Sequence, residues 1–279
     1  MLIAISLLFI VPILTIVSIS ITDERSIIEH GYNIWPKAIN WDAYRFALSN
    51  LGQVVNSFNV TFTYSCIGTL FSLLFMMMCS YSLSRKKFQY RRFISLYIFF
   101  TMLFSGGLIP GYILNTQYLH LQNTLTILII SNLINVWYLF ILRAFIQEIH
   151  ESIIESAYMD GANEFRIFFA IIVPLAKPAM ATIGLFVFLN YWNEWMTALI
   201  YIDNPKLYPL QYLLQKILQD LDMILQNMDK MPQLSGLAKV PSESVRMALA
   251  VIAMGPVLLI LPFFQKYFVR GISIGSVKG

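Results

Sequence analysis

Six stretches of this chain are each long and apolar enough to cross a bilayer, and the rest of the sequence must fit around them. A helix needs about 20 apolar residues to span the hydrocarbon. The runs are roughly Leu2–Ile21, Phe58–Leu83, Phe93–Leu114, Thr124–Leu142, Ala179–Ile202 and Val245–Phe264. Hydrophobic residues make up 58% of the 279 positions and charged residues only 12%. A soluble domain carries about a quarter charged residues, so the expected class is an all-α polytopic membrane protein with six transmembrane helices. The first run has no basic segment before it and no small-residue cleavage site, so it reads as a span rather than a signal peptide. Its missing basic flank suggests a short cytosolic tail outside this sequence. Cys66 and Cys79 lie in one apolar run, roughly 20 Å apart along a helix and too far for a disulfide.

Orientation follows from Lys and Arg in the short connections. "RKKFQYRR" between runs two and three carries Arg85, Lys86, Lys87, Arg91 and Arg92, whereas "NTQYLHLQ" between runs three and four has none. Lys266, Arg270 and Lys278 follow run six. The basic side is expected to be cytosolic, with both termini and the 144–178 loop on it. The longer segments 22–57 and 203–244 then lie outside. Long loops translocate largely regardless of their charge. The second of these contains Leu210, Leu213, Leu214, Ile217, Leu218, Leu221 and Ile224–Leu225 at helical spacing. It is an outer helix that packs on the bundle or meets a partner. The whole chain, 1–279, reads as one membrane domain with an outer insertion at about 203–244.

The loop "ESAYMDGANEFRIFFAIIVP" is neither a span nor a loose connection. Ser152 and Glu155 have the spacing of a capping box. Ile149, Ile153, Ile154, Ala157 and Tyr158 then share one helical face. Asp160-Gly161 is a turn signal, Asn163 can cap a second helix, and Phe165, Phe168, Phe169 and Ile172 form an apolar stripe. Pro174 and Pro178 end the element. The prediction is helix, tight turn, helix over about 150–174, with more apolar surface than a solvated loop needs.

That loop resembles the pattern E-A-A-x2-D-G-x9-I-x-L-P of the membrane subunits of binding-protein-dependent ABC importers. Here it stands as Glu155, Ser156, Ala157, Asp160, Gly161, Ile171, Val173 and Pro174, departing at Ser156 and Val173. "WPKAINWDAYRFAL", "TMLFSGGLIPGYIL", "YWNEW", "LYPLQYLL" and "FFQKYFVRGISIGSVKG" look like the MalG-type permeases of carbohydrate uptake, in the complex-oligosaccharide subgroup. The resemblance implies a type I ABC importer (MetI-like) transmembrane domain in a bacterial cell membrane. It implies as partners a second homologous permease subunit, cytosolic ATP-binding subunits and an extracellular solute-binding protein. The coupling role would fall on Glu155, Ser156, Ala157, Asp160, Gly161, Asn163, Glu164 and Phe165, docked on the ATPase.

The phosphate cradle G-x-x-x-x-G-K-[ST] is missing, since no Gly in the chain precedes a Lys. The energy source is then another subunit, a gradient or nothing; the resemblance implies that ATP and magnesium sit on a partner ATPase, with no cofactor and no enzymatic activity in this chain. His30, His120 and His150 lack metal spacing. Polar residues inside spans are candidates for a substrate path: Asn132 and Asn135 on one face of run four, and Asn190, Tyr191, Asn193 and Glu194 on run five. Amides match sugar hydroxyls. An aromatic belt with interhelical hydrogen bonds is the plainer reading of the same residues. "SGGLIPG" reads as a kink or a hinge. The alternatives to an importer are an ion-driven secondary transporter, for which Glu194 is the one acidic residue inside a run, and a membrane scaffold protein.

Overall fold

The long helix of the second apolar run is built inside out. In the computed structural model, which describes residues 2–230 and 242–272, it runs from Leu51 to Ser84. Thr61, Ser65, Ser72 and Ser80 are fully buried on it, whereas Phe62, Ile67, Leu70, Phe71 and Phe75 are exposed. A soluble helix shows the reverse. Small polar residues let a neighbouring backbone come close and hydrogen-bond across the contact. The Ser80 hydroxyl donates to the Leu139 carbonyl at 2.7 Å. The apolar side is left for lipid or another chain.

Helices make up nearly all of the ordered structure. Among the described residues there is no strand, only an isolated bridge between Thr22 and Ile39. The chain divides into two compact units, one within 1–60 and 208–260, the other within 61–207 and 261–279. In the first, the helix expected in 203–244 forms over Leu210–Lys230 and buries Leu210, Leu213, Leu214 and Leu221. Arg246 pairs with its Asp222 at 2.6 Å. Glu24 closes the start of helix Ser242–Ile272 from a distance in sequence. Its carboxylate accepts from the backbone N–H of Glu243 and Ser244 and from the hydroxyls of Ser242 and Ser244. These are among the donors a helix start leaves unpaired. Burial alone would raise the Glu24 carboxyl, but these four hydrogen bonds hold it below the usual carboxylate range.

In the second unit the apolar runs are broken where single helices were expected. Run three is Arg91–Leu103 followed by Leu108–Tyr118, bent by 108°. Gly107, at φ +88°, makes the corner, in a conformation that glycine alone adopts without cost. Run four is Leu125–Ile130 and Val136–Gln147, with Asn135 accepting from the Tyr138 N–H at 3.2 Å to start the second piece. Run five is Lys177–Asn193 and Met196–Tyr201, with Glu194 accepting from the Thr197 N–H at 2.8 Å. The breaks in runs four and five are thus closed by side chains, as apolar surroundings require. By length and composition Leu51–Ser84 can cross a membrane alone. The bent pairs Arg91–Leu103 with Leu108–Tyr118, and Glu164–Leu175 with Lys177–Asn193, qualify if each is one span. Leu8–Ser20 and Val136–Gln147 are shorter apolar helices. Lys278 and the last residues of the FFQKYFVRGISIGSVKG segment lie outside the described residues, as does 231–241 of the outer insertion.

Candidate functional site

The loop element folds as helix, turn, helix, with its first boundary shifted. The first helix is Glu151–Met159, and His150 stands at its N-cap without a side-chain bond. Ser152 is inside the first turn, so the capping box with Glu155 does not form. Glu155 is instead exposed beside Ser156, while Ile154 and Ala157 face inward. The helix ends in a Schellman motif: the Gly161 N–H donates to the Tyr158 carbonyl at 3.0 Å and the Ala162 N–H to Ala157 at 2.9 Å. Asp160 is the C-cap and Gly161 sits at φ +75°. Asn163 then caps the second helix, accepting from the Arg166 N–H at 2.9 Å.

The predicted Phe165–Phe168–Phe169–Ile172 stripe does not form: Phe165 lies on the outward face before a π turn over Phe168–Ile172, and the turn changes the register after it. A π turn holds an extra residue and so rotates the helix beyond it. The buried set becomes Ile167, Phe168, Ile172 and Ala176, while Phe165 is 68% and Phe169 53% exposed. With Met159, 88% exposed, and Ile153, they leave an apolar surface outward. The helix runs through Pro174 to Leu175 and turns by 79° into Lys177–Asn193.

The element is tied to the end of helix Leu51–Ser84 by a cluster that pattern reading missed. Glu164, itself exposed, turns toward the end of that helix and accepts hydrogen bonds from the hydroxyls of Tyr81 and Tyr158. The Arg85 guanidinium lies 5.8 Å from the centroids of both rings, and Lys87 lies as far from that of Tyr158. Lys86 pairs with Glu151 at 3.0 Å. Burial alone would raise the Glu164 carboxyl; the two hydroxyls, with Arg85 and Lys87, reverse this and hold it below its usual 4.5. Because that value is depressed in the folded state, the clamp's contribution is present above pH 4.5 and lost as pH falls through the folded value. Replacing both Tyr81 and Tyr158 by phenylalanine should speed hydrogen exchange over 151–167 by about tenfold at neutral pH. Exchange equal to wild type would show that the clamp holds nothing.

The candidate path residues separate into two groups. Asn132, Asn135, Asn190 and Tyr191 come together around a cavity of about 70 Å³ that Ser131 and Met76 also line. It has room for a few waters and not for a sugar ring. Asn132 and Asn135 reach it from the break in run four, not from a continuous helical face. Tyr191 is fully buried and acts as a bolt: its hydroxyl donates to the Ile129 carbonyl at 2.8 Å and lies 3.0 Å from the Ser72 hydroxyl, and Tyr64 donates to its carbonyl at 2.7 Å. Asn193 lies outside this cavity and donates to the Leu189 carbonyl of its own helix. Glu194 caps Met196–Tyr201 and accepts from Asn132 at 3.4 Å.

The apolar helices are broken, and the anchored helix–turn–helix keeps an outward apolar face. The chain belongs to the binding-protein-dependent transport system inner membrane component family, whose model matches residues 60–274. It is 35% identical over 275 residues to the polygalacturonan/rhamnogalacturonan transport system permease protein YtcP of Bacillus subtilis (strain 168), covering 98% of this chain and 94% of that one. The arabinooligosaccharides transport system permease protein AraQ of the same organism is 29% identical over 278 residues, covering 98% and 92%. A solved structure described as a bacterial ABC transporter involved in the import of the acidic polysaccharide alginate matches with a TM-score of 0.79 and 30% identity, covering 96% of this chain and 93% of that one. The chain is a membrane permease component of an ABC transporter.

Proposed function

We propose that this permease is one of two homologous membrane subunits that import an oligosaccharide by alternating access. The 151–175 element and both termini lie in the cytosol, where two ATP-binding subunits serve the pair and one seats on this element. A solute-binding protein delivers the glycan outside. Hydrolysis, and the ATP and magnesium it needs, belong to the partner, since this chain carries no phosphate cradle. The relatives named for oligosaccharide or polysaccharide transport support the substrate class.

The observation that carries this reading is the geometry of the loop. Its inner face is fixed by Glu164, Tyr81 and Tyr158, while Met159 and Phe165 stand outward and exposed. A fixed element with a free apolar face can receive a push. The test is co-purification of the complex with Met159→Glu and Phe165→Glu together. Loss of the ATPase with retention of the second permease is the expected result. Full recovery of the ATPase would end the proposal. Uptake of labelled oligosaccharides by cells expressing the complex then identifies the sugar.

The amide cavity is proposed as part of the glycan's route once the helices around it move apart. Asn190→Leu should lower uptake about tenfold at an unchanged membrane level, the effect of losing an amide that a substrate hydroxyl uses. Unchanged uptake kinetics would leave the cavity a packing feature.

A further inference from the structure

Helix Leu2–Ser20 has 19 residues. Its rise of about 28 Å nearly matches a hydrocarbon core of about 30 Å. Leu8, Phe9, Leu14 and Val17 stand exposed on it. Seated in a bilayer, the helix brings Ser20 to one membrane surface. The chain after Ser20 does not leave that surface but folds back on the helix end. The Asp23 N–H donates to the Ala38 carbonyl at 2.9 Å and the Asn40 N–H to the Ile21 carbonyl at 2.9 Å, with Thr22 and Ile39 as the bridged pair. The Tyr44 hydroxyl lies 2.9 Å from the Ser20 hydroxyl. The Trp41 ring packs beside that of Tyr44, their centroids 5.8 Å apart. Ile39 and Trp41 are thus held a residue or two beyond the level of Ser20. The headgroup layer on each side of a bilayer is about 5 to 7 Å deep, and this level falls within it.

The loop fixed in this way is apolar in its side chains and polar in its backbone. Trp35 is 83% exposed, and Ile28, Tyr32, Ile34, Ile39 and Trp41 are exposed with it. From Tyr32 to Lys37 no backbone group pairs with another backbone group among the described residues. In the hydrocarbon core those groups would be orphaned. In open water the indoles and isoleucines would form an uncovered apolar patch. The headgroup layer serves both, since water reaches the backbone while the rings meet the acyl boundary. Trp and Tyr concentrate there for this reason. Lys37, exposed near Trp35, can extend its ammonium to a lipid phosphate. A soluble docking protein is the other candidate cover. It would meet side chains standing clear of the membrane, whereas the Thr22–Ile39 bridge and the Tyr44–Ser20 contact hold Ile39 and Trp41 at its surface.

We propose that the 28–41 loop is a membrane-interface anchor, with Trp35, Ile39 and Trp41 seated among lipid headgroups so as to fix the depth of helix Leu2–Ser20. The partner is the lipid surface itself. The Tyr32 hydroxyl donates to Glu243 at 2.9 Å, so the same anchor sets the level at which helix Ser242–Ile272 starts. This rests on helix Leu2–Ser20 lying in the bilayer.

The test places a bimane label on Trp35→Cys or Trp41→Cys in a Cys66→Ala/Cys79→Ala background, with Leu8→Cys as the mid-membrane reference. The assembled transporter is reconstituted in phosphatidylcholine vesicles. Quenching is compared for lipid brominated high on the acyl chain, lipid brominated low on it, and aqueous iodide. The labels at 35 and 41 should be quenched most by the high bromine, less by the low bromine and least by iodide. The label at 8 should respond most to the low bromine. Both loop positions are exposed, so the two variants report independently without disturbing packing. Full quenching of both loop labels by iodide, with no response to either lipid, overturns the anchor. Iodide access that is lost only when the transporter's solute-binding protein is added assigns the patch to that protein and overturns the lipid. A label at 8 that neither bromine quenches removes the helix from the bilayer and the anchor with it. The readout needs neither ATP nor sugar, so a failed uptake assay and a failed anchor are separate results.

Discussion

Gly161→Pro should leave the complex assembled and hydrolysing ATP while uptake falls by more than tenfold. The residue sits at φ +75°, and its N–H donates to the Tyr158 carbonyl. Proline fixes φ near −65° and has no N–H, so both features of the turn are lost at a cost of about 3 kcal/mol or more. The two helices can still exist, because Asn163 caps the second from its own side chain. What is lost is the fixed angle between them, and with it the path of force. Gly161→Ala is the matched control. A Cβ at this position meets no atom within 4 Å, so alanine bears only the backbone strain of about 1 kcal/mol. Uptake and hydrolysis measured together in proteoliposomes decide the matter. Wild-type uptake by the proline variant would show that the turn transmits nothing.

Gly68→Ala is expected to damage the fold more than any other single methyl added to the second unit. The new Cβ would lie 2.6 to 2.9 Å from three carbons of the Tyr191 ring. That ring cannot swing away, since its hydroxyl is held by Ile129 and Ser72 and the residue is fully buried. Overpacking of this kind costs about 3 kcal/mol at the upper end of its usual range. Gly184→Ala provides the contrast: its Cβ would meet the Leu73 Cδ1 at 3.0 Å, the far end of a flexible side chain. The thermal midpoint of the detergent-solubilised protein should drop sharply for Gly68→Ala and little for Gly184→Ala. Equal midpoints would mean that helix Leu51–Ser84 can shift to make room.

Features set by neighbours in sequence are readable from the sequence alone. The turn at Asp160-Gly161, the cap at Asn163 and the outer helix over Leu210–Lys230 each depend on residues within a few positions. "SGGLIPG" likewise signals the break in run three, whose corner falls at Gly107 rather than at Pro110, but the breaks in runs four and five are not readable in this way. An Asn or Glu inside an apolar run reads equally as a path residue, an interhelical bond or a cap, and Asn135 and Glu194 prove to be caps. The π turn at Phe168–Ile172 has no composition signal, so a regular helical stripe misplaces Phe169; Phe165, which precedes the turn, also faces outward. The Glu164 clamp joins residues 83 positions apart, and no local pattern carries that pairing. A tyrosine closing an apolar run beside RKK was the nearest available hint.

The clamp has a mechanical meaning. Since Glu164 accepts from Tyr81 three residues before the end of the long helix Leu51–Ser84, a push on the loop would reach that helix directly, as through a crank. From Thr61 to Ser84 the shaft is about 36 Å long, so a tilt of about ten degrees carries its far end through roughly 6 Å. A shift of an ångström or two at the grip would thus be geared up, and the hydrogen bonds that Ser72 and Ser80 make to Tyr191 and Leu139 are the latches such a swing would have to release.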